Sequence, residues 1–297
     1  MRYRDAASFR QGLEQRLNTT YRGQPALLAR ARKVVAFERL LARMVAVNAD
    51  SWLLKGGFAL ELRLNDRARS TKDIDIAWLA EKEELLDALL DAAQFDAGDH
   101  FNFQMERDSA PEDRFGGSHR FRVKAELAGR TFDRFVVDCG FDNTAYEGAD
   151  TLVSGNLLEF AQIQPTKIKA IPLERHLAEK IHAYTRTLPV GRPNTRVKDL
   201  VDMVLIAESF NLDGDSLSHS IVATFHGRDL HPVPERLPTP PREWSTPYGR
   251  LAGDVGISPE ISAGHVLAAA LIDPILQGSA VNDRWDPVMA MWTTKWL

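Results

Sequence analysis

Two apolar stripes at helical spacing open the chain. Residues 6–17 and 26–47 carry apolar side chains three and four apart, and Leu27, Leu28, Ala31, Val34, Val35, Leu40, Leu41 and Met44 mark the second stripe. Both stretches therefore predict amphipathic helices. A short apolar run at 51–54 predicts a strand, the pair Gly56-Gly57 a turn, and 58–64 a helix. Over 73–78 the period changes to two. Asp73 and Asp75 alternate with Ile74 and Ile76, which predicts a strand with both carboxylates on one face. Residues 79–93 return to helical spacing. Residues 120–127 and 131–141 predict two strands joined at Gly129 as a hairpin. The second of them places Asp138 near the end of the apolar run Phe135-Val136-Val137-Asp138-Cys139, and 167–171 is a further short strand. Beyond Pro172 the spacing is helical over 173–187, 197–210, 216–225 and 258–275, with a proline-rich loop at 232–241. The fold class expected is α+β: a mixed half over 1–165, then an all-helical half over 166–297.

Composition narrows the setting. The chain has 297 residues, 44% hydrophobic and 26% charged, as in an ordinary globular protein. No apolar run approaches the ~20 residues of a membrane span. Residues 1–5 lack the apolar core of a signal peptide. Cys139 is the single cysteine, so no disulfide framework or zinc cluster is expected, and the setting reads as reducing and cytoplasmic. Net charge is −4, which does not advertise nucleic-acid binding by the whole surface. Charge is unevenly placed, however. Eight basic residues between Lys167 and Lys198, Arg192 among them, face only Glu174 and Glu179. A second basic stretch runs from Arg114 through Arg120, Arg122, Lys124 and Arg130 to Arg134. Such runs suit a phosphate-bearing partner or are simply solvated faces.

Asp73 and Asp75 carry the sharpest chemical signal. Two carboxylates on one strand face repel unless a cation sits between them. Magnesium takes oxygen ligands and keeps substrate phosphates in its shell. A third carboxylate on a neighbouring strand, Asp138, would complete a two-metal cluster. The plain alternatives are that Asp73 pairs with Arg69 or Lys72, and that Asp75 lies on an edge strand. Gly56 and Gly57, at a strand-to-helix turn, let backbone N–H groups approach a phosphate, although a glycine pair is also a common tight turn. Together, a glycine pair and a downstream Asp-x-Asp are the parts of a nucleotidyltransferase palm: one end grips a triphosphate, the other holds metal. No histidine spacing suggests a metal site. Trp285, Trp292 and Trp296 read as core or a docking face.

Three motifs in order carry a resemblance. Lys55-Gly56-Gly57-Phe58-Ala59-Leu60 through Arg69-Ser70-Thr71-Lys72-Asp73-Ile74-Asp75-Ile76 is similar to the signature of the AbiEii/AbiGii-type nucleotidyltransferase toxins. Pro172 to Ala183, with Lys180, resembles that family's lysine-bearing helix. Arg196-Val197-Lys198-Asp199-Leu200-Val201-Asp202 resembles its later acidic helix. The likeness spans roughly residues 25 to 210. It implies a polymerase-β-like nucleotidyltransferase palm followed by a helical C-terminal domain. By the same resemblance Asp73 and Asp75 bind metal and Gly56 and Gly57 form the phosphate-side turn. Thr71 is then a polar neighbour in the active site, Lys180 contacts the nucleotide's phosphates, and Asp199 is the acidic residue of the last motif. Asp138 joins as the superfamily's third carboxylate. Read without the resemblance, Lys180 could equally snorkel to water from its apolar helix face.

The function so implied is a Mg²⁺- or Mn²⁺-dependent toxin of type IV toxin–antitoxin or abortive-infection systems. It transfers an NMP from an NTP to an acceptor, RNA such as a tRNA 3′ end or else protein, and causes growth arrest held in check by a cognate antitoxin. Two other classes use the same residues: a metal-dependent phosphodiesterase or nuclease, and a non-catalytic interaction module.

Overall fold

The computed structural model describes residues 1–108, 118–141, 148–186, 196–228 and 230–294. Arg114, Arg192, Trp296 and the expected helix end at Thr187 lie outside these residues. The chain divides into two compact units. One comprises Met1–Arg63, Ser70–Asp142 and Ala149–Ile171; the other is built on Pro172–Leu297 and takes in Leu64–Arg69.

The first unit opens with helices α1 (Ala6–Thr20) and α2 (Pro25–Asn48). Asp5 caps α1 by accepting from the Ser8 N–H at 2.8 Å, and Pro25 starts α2 at a position where no N–H is needed. Strand β1 (Trp52–Lys55) runs straight into α3 (Gly56–Leu64), and β2 (Asp73–Trp78) follows. Next come α4 (Glu84–Gln94), β3 (Phe101–Arg107), β4 (His119–Leu127), β5 (Arg130–Phe141), β6 (Asp150–Val153) and β7 (Lys167–Ala170). The strands make one mixed sheet in the order β3-β4-β5-β2-β1-β7-β6, so β7 carries this unit past residue 165 to Ile171. Among the described residues only the β2–β5 and β1–β7 pairs of this sheet are parallel. The β4–β5 hairpin turns through Ala128 and Gly129, both at positive φ (51° and 69°), which matches the twist of the flanking strands.

The sheet has two unlike faces. Ile74, Ile76, Val137, Cys139, Phe121 and Val123 are fully or nearly fully buried and join a core with Phe37, Leu40 and Leu41 of α2. Phe37 meets Phe58 and Phe135 edge-on at 5.0 and 4.8 Å. The residues between them in sequence, Asp73, Asp75, Asp138, Arg120 and Arg122, point the other way and keep some exposure.

Because α2 is buried nearly all round, it carries charge inward. Arg43, fully buried, forks onto Asp99 at 2.6 and 2.9 Å and also donates to the Phe101 carbonyl, which ties the start of β3 to the helix. Glu38 is 1% exposed and accepts from the Gly155 N–H at 2.6 Å. Burial pushes its carboxyl up to about 7. The folded state thus binds more protons than the unfolded chain between pH 4.5 and about 7, and stability falls as pH rises through that window. Glu38→Gln keeps an acceptor for Gly155 and removes the charge. We expect it to raise stability at pH 8 by up to about 3 kcal/mol and by little at pH 4.5. Thermal melts at both values decide this, and a variant less stable than wild type at pH 8 refutes it.

The second unit is mainly helical: α5 (Leu173–Thr185), α6 (Val197–Ser209), α7 (Gly214–Arg228), α8 (Ser245–Val255) and α9 (Ile261–Leu276). It also holds a small antiparallel sheet of β8 (Leu212–Asp213), β9 (Asp283–Asp286) and β10 (Met291–Thr294). Trp285 of β9 is fully buried and its indole N–H donates to the Ala207 carbonyl at 2.8 Å, so this tryptophan is core. No helix among the described residues is long and apolar enough to cross a membrane.

Candidate active site

Gly56 stands where β1 becomes α3, with φ +65°. A Cβ at this position would lie 1.9 Å from Asp75 Oδ2 and 2.6 Å from its Cγ. Two independent demands therefore require glycine here. The backbone is left-handed, and the Asp75 carboxylate fills the space a side chain would take. Gly57 is buried within the first turn of α3. The glycine bend and the second aspartate of Asp-x-Asp are thus in direct contact, although 18 positions separate Gly57 from Asp75 in the chain.

Asp73 and Asp75 share the polar face of β2. Thr71, 5% exposed, donates its hydroxyl to Asp73 Oδ1 at 2.9 Å and so fixes the carboxylate. Arg69, an alternative partner for Asp73 on sequence grounds, instead gives its Nε and Nη2 to Asp202. Lys72 is exposed. Strand β2 has neighbours on both sides, β1 and β5, so Asp75 is not on an edge strand.

Asp138 stands beside Asp75 in the parallel β2–β5 register, where a third ligand would be. Both its oxygens are taken by Arg120 of β4, Nε to Oδ1 at 2.7 Å and Nη2 to Oδ2 at 2.8 Å. That hydrogen bonding and charge hold the guanidinium above its ordinary value. Among the described residues no group of three or more His, Cys, Asp or Glu is arranged to hold a metal. Asp73 and Asp75 alone still fit magnesium. The ion is commonly bound by one or two carboxylates and completes its shell with water and substrate phosphates, and Gly56 leaves the room in which the Asp75 carboxylate stands.

Lys55 opens the first motif, and the sheet register gives it a place beside the carboxylates. It stands opposite Asp75 in the β1–β2 register, and its Nζ lies 3.1 Å from where Gly140 would carry a Cβ. Its place immediately before the glycine pair is the sequence signal that could have drawn attention to it.

The second unit has its own charged cluster. Asp202 is fully buried on α6 and accepts from Arg69 at 2.8 and 2.9 Å and from Lys180 at 2.8 Å. Asp199 Oδ1 lies 3.3 Å from the same ammonium, and Arg196 lies 3.7 Å from Asp199. Burial opposes the Lys180 charge, but the Asp202 and Asp199 carboxylates outweigh it and hold the ammonium above its usual value. Burial likewise opposes the Asp202 charge; Lys180 and Arg69 prevail and hold the carboxyl at about 2. Lys180 therefore does not snorkel to water. The basic stretch between Lys167 and Lys198 is not one surface, since Arg175 and Lys180 are buried while Lys167 and Lys169 are exposed. The His182 and His231 rings lie 4.6 Å apart, tilted by 40°, and among the described residues they belong to no group of three metal-ligand side chains.

A mixed sheet with helices on one face, a glycine turn pressed against an Asp-x-Asp strand and a helical second unit define a nucleotidyltransferase. The family model described as "Nucleotidyl transferase AbiEii toxin, Type IV TA system" matches residues 39–258, and the chain belongs to that family. Among solved structures it is similar to MenT4, a nucleotidyltransferase toxin from Mycobacterium tuberculosis H37Rv. That match has 16% identity and a TM-score of 0.57, and covers 90% of this chain and 98% of that one. A putative nucleotidyltransferase from H. pylori matches at 14% identity and a TM-score of 0.47, over 82% of this chain and 97% of that one. At these identities the MenT4 likeness speaks for the fold. No curated protein sequence matches the chain.

Proposed function

We propose that this nucleotidyltransferase toxin moves an NMP from an NTP to a hydroxyl of RNA, with a tRNA 3′ end as the acceptor, in a Mg²⁺-dependent reaction that Mn²⁺ also supports. The acceptor hydroxyl gives up its proton to water, its oxygen bonds to the α-phosphorus, the bond from that phosphorus to the β-phosphate's bridging oxygen breaks, and pyrophosphate leaves with the electron pair. The observation that carries this reading is the Asp75 carboxylate standing in the Cβ space of Gly56. It puts a metal-type ligand beside a helix N-terminus able to receive phosphate. A divalent cation held by Asp73 and Asp75 would supply Lewis-acid stabilisation of the transferring phosphoryl group. Thr71 keeps Asp73 aimed, and Gly56 makes room for the Asp75 carboxylate. The exposed side chain of Arg122 on the polar sheet face suits an anionic acceptor. Catalytic roles for Lys180 and Asp199 rest on the family resemblance, and we carry them in that form. The family implies a cognate antitoxin; growth arrest of a cytoplasmic target is the proposed outcome.

Incubation with each of four α-labelled NTPs and total RNA tests the reading. Wild type should label RNA with one preferred nucleotide. Asp75→Ala should lose roughly a thousandfold or more of that rate, since a lost metal ligand removes several kcal/mol of stabilisation. Shortened, unlabelled RNA would favour a nuclease instead. Labelled protein with unlabelled RNA would move the acceptor to protein.

A further inference from the structure

Four residues of the first unit fall in one row across four strands. Lys55 of β1 stands opposite Asp75 of β2, Asp75 beside Asp138 of β5, and Asp138 opposite Arg120 of β4. Register partners share a sheet face, so the row reads cation, anion, anion, cation. Glycines make the room: the Asp75 carboxylate and the Lys55 ammonium each approach the place of a missing Cβ, at Gly56 and Gly140. Two neighbouring carboxylates would repel one another. Here Asp138 is neutralised by the two-pronged Arg120 contact, which leaves neither of its oxygens bare.

Resting on the nucleotidyl-transfer reading, we propose that Arg120 is a nucleotide-responsive gate on Asp138. In the structure it occupies both oxygens of the carboxylate. When an NTP enters, the guanidinium moves to the triphosphate and frees Asp138 to join Asp73 and Asp75 as an oxygen ligand. A planar guanidinium engages phosphate with the same fork it offers a carboxylate, so the exchange swaps one bidentate partner for another. The ion pair is also in reach of water: the Arg120 side chain is 54% exposed and that of Asp138 19%. Contacts this exposed are weak and readily traded.

The proposal makes opposite predictions for the two partners. Calorimetric titration with each of the four NTPs in EDTA should show Arg120→Ala binding about tenfold more weakly, one charge-assisted contact being lost. Asp138→Asn should bind several-fold more tightly, because its guanidinium is already released. The double variant should match Arg120→Ala. Mn²⁺ titration without nucleotide, read by the resonance of free Mn²⁺, should show tighter binding in Arg120→Ala than in wild type. That gain should vanish in the double variant. Arg120→Gln serves if the alanine variant melts early. If wild type binds an NTP and Asp138→Asn binds it equally or less well, the gate is overturned while the transfer reading stands. If wild type binds none of the four in EDTA, the gate is likewise overturned, and the transfer reading is decided by the labelling assay with Mg²⁺ present.

Discussion

Gly56→Ala is expected to reduce nucleotidyl transfer by at least about a hundredfold without unfolding the chain. The two causes are separable. A non-glycine residue held at φ +65° costs about 1–2 kcal/mol. The new methyl would also stand 1.9 Å from Asp75 Oδ2, so the carboxylate must swing aside. Displacing a reacting or ligating group by about 1 Å costs on the order of a hundredfold in rate. Stability should fall by roughly 2–4 kcal/mol from strain and crowding together. In an Asp75→Ala background the carboxylate clash disappears, while the Cβ that remains at position 75 still stands 2.8 Å from the new methyl, so the backbone cost and a smaller crowding cost should remain. The double variant should therefore be more stable than the sum of the single changes predicts. Steady-state transfer rates and urea denaturation of the three variants check this. Gly56→Ala activity within tenfold of wild type would mean that Asp75 has no fixed place in the reaction.

Asp202→Ala is expected to lower the stability of the second unit by about 3–5 kcal/mol, because it leaves two largely buried cations, Lys180 and Arg69, without their shared anion. The pH dependence has a definite sign. The folded carboxyl is held at about 2, below its ordinary 3.8, so its contribution is fully present above pH 3.8 and is lost as pH falls toward 2. That contribution is roughly 2 kcal/mol in wild type and absent in the variant. Urea transitions recorded from pH 7 down to pH 2.5 should draw closer toward the acid end, by up to about 2 kcal/mol. Parallel curves, or a loss under 1 kcal/mol at pH 7, would show that the cluster does not hold this unit together.

Local pattern made most of the fold legible. The period-two run at 73–78 is β2 with the same ends, and Gly129 is the hairpin turn because left-handed backbone there needs no tertiary help. Helix α4 begins at Glu84 rather than 79, because 79–83 form a connection in which the Glu81 carbonyl accepts from the Trp78 indole. Strand β3 alternates Phe101, Phe103 and Met105 with Asn102, Gln104 and Glu106, a signal present in the chain that gains meaning once β4 pairs with it. Helix α8 holds two glycines and a proline, which mask its period.

The site divides along the same line. Asp73, Asp75, Thr71 and the glycines lie within one short stretch and speak through spacing. The Lys55–Asp75–Asp138–Arg120 row, and the meeting of Arg69 with Asp202 across 133 positions, exist only after distant segments pair. No one-dimensional pattern carries such neighbours.

Cys139 follows Asp138 on β5 and faces the opposite side of the sheet, fully buried and in register with Ile76. Burial pushes its thiol well above the usual range, so it is neither exposed nor ionised at neutral pH. For an experimenter this is a clean slate. Spectroscopic tags attached through sulfur at engineered surface positions meet no competing native sulfhydryl while the sheet stays closed.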